Sequence, residues 1–330
     1  MNRILMGLAL LATVTAAGAA PVADLLGQTA ADYRAAARFP DHAWRLTDAV
    51  DPLLEEREPT VQSLGSSPRL SVWTSGIAFE RGQSVDLHAR LADTTADAGP
   101  LSQALAGLTG RSRAQAVRAE IRNAAGLTLA ELSLADDGRG ADRLAGDGLY
   151  SGRWTLPAAL QPPPGRAESL LVRTTATLAD GQERVAVGGF QYSHPGARLT
   201  GRYRDRLHEG SLRVEAEVEV LSPGRYHLAG TLADLGGLPL AHAQAAQPLA
   251  PGRHWLALDY YGLIFHELSS AGPFRLERIT LTSATAMPNA LGPVLTPGHR
   301  TRLYALGQFT DRPFGRVDLL EAARRLDGAR

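Results

Sequence analysis

Cysteine and lysine are both absent from this chain, so all 34 of its basic side chains are arginine. Without cysteine there is no disulfide staple, no thiol nucleophile and no lipid-modified cysteine at a processed N-terminus. Without lysine there is no Schiff base, no pyridoxal phosphate linkage and no P-loop lysine. Net charge is missing as well: 34 acidic residues balance the 34 arginines. A sequence-independent grip on phosphates needs a basic excess, so nucleic acid is not an expected partner. Two local catalytic signatures are also missing. His208-Glu209 and His266-Glu267 start like zinc-protease helices, but Leu212 and Ser270 stand where the second histidine is required. No G-x-S-x-G nucleophile elbow occurs.

Long apolar runs are confined to the beginning. Arg3 precedes the apolar stretch Ile4 to Val14, and Ala17-Gly18-Ala19 offers small residues for cleavage. This predicts a signal peptide over 1–19. Its apolar core falls short of the roughly 20 residues a spanning helix needs. The expected mature protein is periplasmic or extracellular and does not span the membrane. It must be stabilised by buried cores alone, and its length suffices for two domains.

Residues 20–66 read as an N-terminal arm. ADLLGQTAADYRAAARF has helical spacing, and PLLEEREPT resembles a short helix stopped by Pro59. From Pro68 the texture changes to alternation. QSVDLHARL places Val85, Leu87 and Ala89 on one face, with Val72 in the run before it. AQAVRAEIRNAAGLTLAELSL reads as two strands turning at Asn123 to Gly126, and SLLVRTTATLADGQERVAVGGFQY as a hairpin turning at Asp180-Gly181. Leu91 to Arg113 reads as an inserted surface loop. Gly196 to Gly201 is the expected junction. Beyond it LRVEAEVEV alternates strictly, with Glu215 and Glu217 expected in water as solubilising charge. RYHLAGTLAD, LAHAQA, RHWLALDYYG, PFRLERITLTS and TRLYALGQF read as further strands. The tail, 311–330, ends in VDLLEAARRLDG, with Asp318 early, Arg324 and Arg325 late and Gly328 as a stop: a helix. The expected class is all-β, two tandem immunoglobulin-like β-sandwiches (67–195 and 196–310) with an N-terminal helical arm and a short C-terminal helix.

One stretch stands out. DDGRGADRLAGDGLYSGRW puts Asp136, Asp137, Asp142 and Asp147 among four glycines, then turns into an aromatic strand in which Tyr150 and Trp154 are expected to face inward. The four aspartates are the candidate ligands of a calcium ion, which takes six to eight oxygens. The competing reading is turn chemistry, with aspartates bonding their own backbone and glycines supplying positive φ. The same stretch resembles the loop and strand of bacterial choice-of-anchor-type sandwich modules. GRYHLAGTL, PGRHWLALDYYGLIF and GPFRLERITLT look like a companion module. With PLLEEREPTVQSLG, the chain is similar over residues 45–310 to a family of Gram-negative secreted or periplasmic proteins carrying a domain of unknown function. The resemblance implies two immunoglobulin-like sandwiches behind an N-terminal extension and supplies no catalytic residue.

Other candidates are weaker. His227, His242 and His254 fall in strands of one sandwich and are better read as cross-strand or rim residues than as zinc ligands. Trp73, Trp154, Trp255 and Tyr260-Tyr261 are candidates to line a glycan or peptide groove, with core packing the preferred reading. The functional expectation is an exported, non-enzymatic binding or structural module whose partner is an unknown protein or glycan. The alternatives are a calcium-stabilised accessory module and a hydrolase assembled from scattered residues.

Overall fold

The computed structural model describes residues 22–46, 53, 61–63, 67–92 and 113–329. The predicted signal peptide, the helix expected in PLLEEREPT (Leu53 apart) and most of the Leu91–Arg113 insertion lie outside them. No described helix is long and apolar enough to cross a membrane. The chain divides into two compact units, one of residues up to Pro40 with Arg312–Arg330, the other Asp41–Asp311.

In the first unit, α1 (Val22–Ala36) buries Ala30, and Ala37 just beyond its end is also buried. The backbone amides of Gly315 and Arg316 donate to the Ala37 carbonyl. The C-terminal helix, Val317–Asp327, follows the expected signals: Asp318 in the first turn, Arg324 and Arg325 in the last, Gly328 at the C-cap. Its Asp327 pairs with Arg34 of α1.

The second unit is built of sheets. In chain order its first strands are β1 (Ala43–Arg45), β2 (Val61–Gln62), β3 (Arg69–Thr74), β4 (Ala78–Phe79) and β5 (Ser84–Ala92). β6 (Ala114–Arg122), β7 (Thr128–Leu134), β8 (Leu149–Thr155), β9 (Arg166–Leu178) and β10 (Glu183–His194) follow. Two sheets, ordered β2-β3-β5-β8 and β4-β10-β9-β6-β7, share one apolar core. Val72, Val85, Leu87 and Ala89 are buried there, as alternation predicts. Tyr150 is buried and Trp154 packs against the same core. Both predicted turns form. Asn123 Oδ1 accepts the amides of Ala125 and Leu127, and Asp180 Oδ1 accepts that of Gln182.

The remaining strands are β11 (Ala197–His208), β12 (Ser211–Val220), β13 (Gly224–Ala233), β14 (Pro239–Leu249), β15 (Gly252–Tyr260) and β16 (Arg275–Ser283). They form a three-stranded sheet, β11-β12-β15, and a four-stranded one, β1-β14-β13-β16. Gly230 of β13 marks a close approach between them: a Cβ there would lie 2.7 Å from Leu258 Cδ1 and 3.1 Å from the Tyr260 hydroxyl of β15.

The structure departs from the sequence pattern at four places. Ala43–Arg45, expected in the arm, is a strand paired with β14. A short helix, Gly262–Glu267, follows β15 and buries Leu263, Ile264 and Phe265, where only strands were expected. TRLYALGQF is not a strand: Thr301–Ala305 makes no ladder, and Leu306–Gln308 is a 3-10 turn. Glu215 and Glu217 are 7% and 6% exposed rather than in water. β12 lies between β11 and β15, so long side chains from both neighbours cover its outer face.

Candidate functional site

The Asp/Gly loop links β7 to β8. All four of its glycines, at 138, 140, 146 and 148, have positive φ. Asp136 is the hub. Its Oδ1 accepts the amides of Gly146 (2.6 Å) and Asp147 (3.1 Å), and its Oδ2 that of Gly148 (2.9 Å). Asp142, 4% exposed, accepts from Gly138 (2.6 Å) and Leu144 (3.1 Å). The Gly138 amide and further loop amides hold the Asp142 carboxyl below its ordinary range, against the upward push of burial. Asp137 and Asp147 each close a short Asx turn, to Arg139 and Leu149. Carboxylate oxygens of Asp136, Asp142 and Asp147 lie within 4.8 Å of one another, and Asp137 is not in that group. The turn chemistry is therefore present, and three of the four candidate calcium ligands converge.

The strand histidines do not converge. His227 Nε2 meets Gln244 Oε1, His242 Nδ1 meets Thr231 Oγ1 with its ring 4.7 Å from that of Trp44, and His254 Nε2 meets the Ala250 carbonyl. On the outer face of β5 and β8, His88 Nδ1 lies 2.9 Å from Ser151 Oγ. Ser151 is 6% exposed, and Asp86 beside it is held by both Arg153 Nε (2.6 Å) and Nη2 (2.9 Å).

The aromatic candidates separate. Tyr260 is fully buried, Trp154 packs on the first core, and Trp73 lies against His88 with ring centroids 5.5 Å apart. Trp255 borders a groove of about 520 Å³. Its origin is a bulge in the edge strand β11. Between Leu199 and Tyr203 three residues oppose Glu217 alone, and the middle one, Gly201, takes φ +83°. Arg204 stays on the outer face. Its guanidinium carbon stands 4.2 Å from the Trp255 ring centroid, and Arg202's stands 5.8 Å from it. Arg204 also grips Glu215 through Nε (2.8 Å) and Nη2 (3.2 Å), while Arg206 Nε approaches within 3.5 Å. Burial would raise the Glu215 carboxyl, but the hydrogen bonds and charges of these arginines outweigh it and hold it low. Glu217 is bound by Thr200 Oγ1 (2.8 Å) and Arg202 Nη1 (3.1 Å).

Tyr203 and Asp205 alternate onto the other face of β11. There His299 closes the groove, its ring 5.7 Å from that of Tyr203 and its Nε2 3.1 Å from Asp205 Oδ1. Asp205 Oδ2 also accepts the Tyr304 hydroxyl (2.6 Å) and the Arg302 amide (3.1 Å). Burial raises the Asp205 carboxyl, and these donors with the His299 charge more than reverse it. Burial and Asp205 together push the Tyr304 hydroxyl up to about 12. The sequence signals Trp255 as a candidate but not its neighbours, because the bulge that gathers them leaves no mark beyond Gly201.

The Trp255 side of the groove falls within a stretch that matches a family model, while Pro297, Gly298 and His299 lie beyond it. Residues 196–289 match the model of the C-terminal domain of DUF4785, a domain of unknown function. The match takes in β11 to β16. No curated protein matches the chain. Among solved structures, a DUF4785 family protein from Legionella pneumophila is 20% identical, covering 71% of this chain and 58% of that one, with a TM-score of 0.45. The chain thus spans little more than half of the Legionella protein. Native Escherichia coli alpha-2-macroglobulin is 13% identical over 76% of this chain and 14% of its own, with a TM-score of 0.32. Squid arrestin is 8% identical over 73% of this chain and 96% of its own, with a TM-score of 0.19. These likenesses carry no activity or partner over to this chain.

Proposed function

We propose that this is an exported, non-enzymatic binding or structural module made of two tandem immunoglobulin-like sandwiches, 67–195 and 196–310. In this reading residues 1–19 are a cleaved signal peptide, 20–66 an arm and 311–330 a helical tail, and the mature protein resides in the periplasm or outside the cell. The observation that carries the reading is the groove beside Trp255. It is a concave surface whose charged side chains, Arg202, Arg204 and His299, are already paired with carboxylates before any ligand arrives, which favours a pre-organised binding site. The buried Ser151 hydroxyl supports a structural role for the Ser151–His88 pair, since a nucleophile must reach its substrate. Charge neutrality supports a protein or glycan partner over nucleic acid.

Cell fractionation and N-terminal sequencing test the export half: the expected product is processed after Ala19 and extracytoplasmic, and an intact cytoplasmic chain refutes it. Capture from periplasmic extract tests the binding half. A partner retained by the mature protein is expected to be lost in Trp255→Ala. Hydrolysis of an ester, peptide or glycoside that disappears in Ser151→Ala would establish an enzyme instead.

A second reading has its own observation, the convergence of Asp136, Asp142 and Asp147. In it the loop binds Ca2+ as a structural ion of an accessory module. The thermal midpoint then rises with added Ca2+ and falls with chelator, because a ligand of the native state alone stabilises that state. Asp142→Asn abolishes the response. An equal midpoint with and without Ca2+ refutes this reading.

A further inference from the structure

We infer that the Trp255 groove is a site for a carboxylate-bearing sugar, with Arg202 as the group that holds the carboxylate. This rests on the binding-module reading and names its ligand class.

Charge comes first. Arg202, Arg204 and Arg206 face only two carboxylates, Glu215 and Glu217, across the same sheet face. Arg204 and Arg206 share Glu215, so one guanidinium charge is left over on this face. Arg204 is fully engaged, gripping Glu215 with two nitrogens. Arg202 is engaged on one side: it meets Glu217 through Nη1 alone and its side chain is 65% exposed, so among the described residues its Nε and Nη2 have no acceptor. Guanidinium N–H groups in a fork match a carboxylate in geometry and charge.

The surroundings suit a sugar ring. Trp255 is half-buried and lines the groove beside the Arg204 guanidinium that stands over its ring, and the indole surface it leaves there takes the C–H side of a pyranose as it takes other apolar surfaces. On the opposite rim the Tyr203 hydroxyl has no hydrogen-bond partner among the described residues. The second nitrogen of His299, Nδ1, has none either, since Asp205 holds Nε2. These are donor and acceptor groups set to meet hydroxyls. The rim has no aliphatic side chain besides Pro297, so it offers no apolar pocket to anchor a peptide side chain. The volume, about 520 Å³, lies within the usual range for small-molecule sites and suits a short saccharide.

Calorimetric titration of the mature protein with digalacturonate, and with neutral digalactose as comparison, tests the assignment. Digalacturonate is expected to bind at least about tenfold more tightly, since a hydrogen bond to a charged group is worth about tenfold or more. Arg202→Gln is expected to remove that preference, bringing digalacturonate to the affinity of the neutral sugar. Trp255→Leu is expected to weaken both sugars. Because Trp255→Leu also strips Arg204 of its ring contact, Tyr203→Phe serves as a second variant that removes one hydroxyl and keeps the packing. Equal affinity for the two sugars, binding of neither, or an Arg202→Gln variant that keeps the preference overturns the assignment. If no sugar binds while Trp255→Ala still abolishes capture of a periplasmic partner, the ligand class fails and the module stands. Shortened sugar released during titration would instead refute the non-enzymatic reading while keeping the ligand class.

Discussion

Asp136→Ala isolates what the Asp/Gly loop does for stability. The Asp136 carboxylate accepts three backbone amides, those of Gly146, Asp147 and Gly148, from the end of the loop that leads into β8. Each bond to a charged acceptor is worth about 1.5–3 kcal/mol when protected from water, and less when water can replace it. Asp136 is half-buried, so about 1 kcal/mol per bond is the suitable figure, or about 3 kcal/mol in all. Asp136→Asn keeps one acceptor oxygen but turns an NH2 toward a donor, and costs about half as much. Asp137→Ala is the internal control. It is exposed, loses a single amide contact at 3.0 Å and is expected to cost no more than about 0.5 kcal/mol. Urea unfolding followed by tryptophan fluorescence measures all three, because Trp154 lies on the strand the loop feeds. The expected result is a lower midpoint for Asp136→Ala with an unchanged slope, which marks a change in stability rather than in the unfolded ensemble. If Asp136→Ala and Asp137→Ala cost the same, Asp136 is not the hub and the reasoning fails.

Three further outcomes follow from the same geometry. The Asp142 carboxyl is held low, so the stability it adds is complete above the unfolded carboxylate range, near pH 4, and is lost as pH falls through its lower folded value. Asp142→Asn is expected to be less stable at neutral pH and to lose less on acidification; parallel acid titrations of the two proteins would contradict this. The Tyr304 hydroxyl is raised from 10.0 to about 12, so its contribution is complete below pH 10 and disappears as pH climbs toward 12. Tyr304→Phe should flatten that alkaline loss, which circular dichroism at rising pH reads directly. Gly262→Ala places a Cβ 2.1 Å from the Gly210 carbonyl oxygen and 2.6 Å from the Thr310 amide, both backbone atoms. It is expected to cost about 3 kcal/mol, against no more than about 0.5 kcal/mol for Gly307→Ala, where no atom lies within 4 Å.

Local order was legible wherever one residue's own chemistry decides the backbone. Alternation located the inner face of β5, and Asn123 and Asp180 marked their turns because each side chain bonds amides two to four residues ahead. The C-terminal helix carried its charges and stop in sequence. What depends on a distant strand was not legible. LRVEAEVEV looks half-exposed, but arginines of β11 pair over Glu215 and Glu217 and bury them. TRLYALGQF alternates like a strand, yet Arg302 and Tyr304 spend their polar groups on Asp205, nearly a hundred residues earlier. The groove is the same case. Trp255 was singled out, but its placement opposite Glu217 is a matter of register, and Arg202 joins it through a bulge.

The four-stranded sheet β1-β14-β13-β16 bears on how fragments of this protein will behave. Ala43–Arg45 zips along the free margin of β14. On the far margin, Ala290, Leu295 and Arg300 bridge to Ser283, Ile279 and Arg275 of β16. Both borders are thus sealed by chain from outside 196–289, the stretch the DUF4785 model covers. A polypeptide trimmed to that window would carry two naked strand borders, and unsealed borders invite self-association. Expression of 41–311 should yield a monodisperse species where 196–289 yields aggregates.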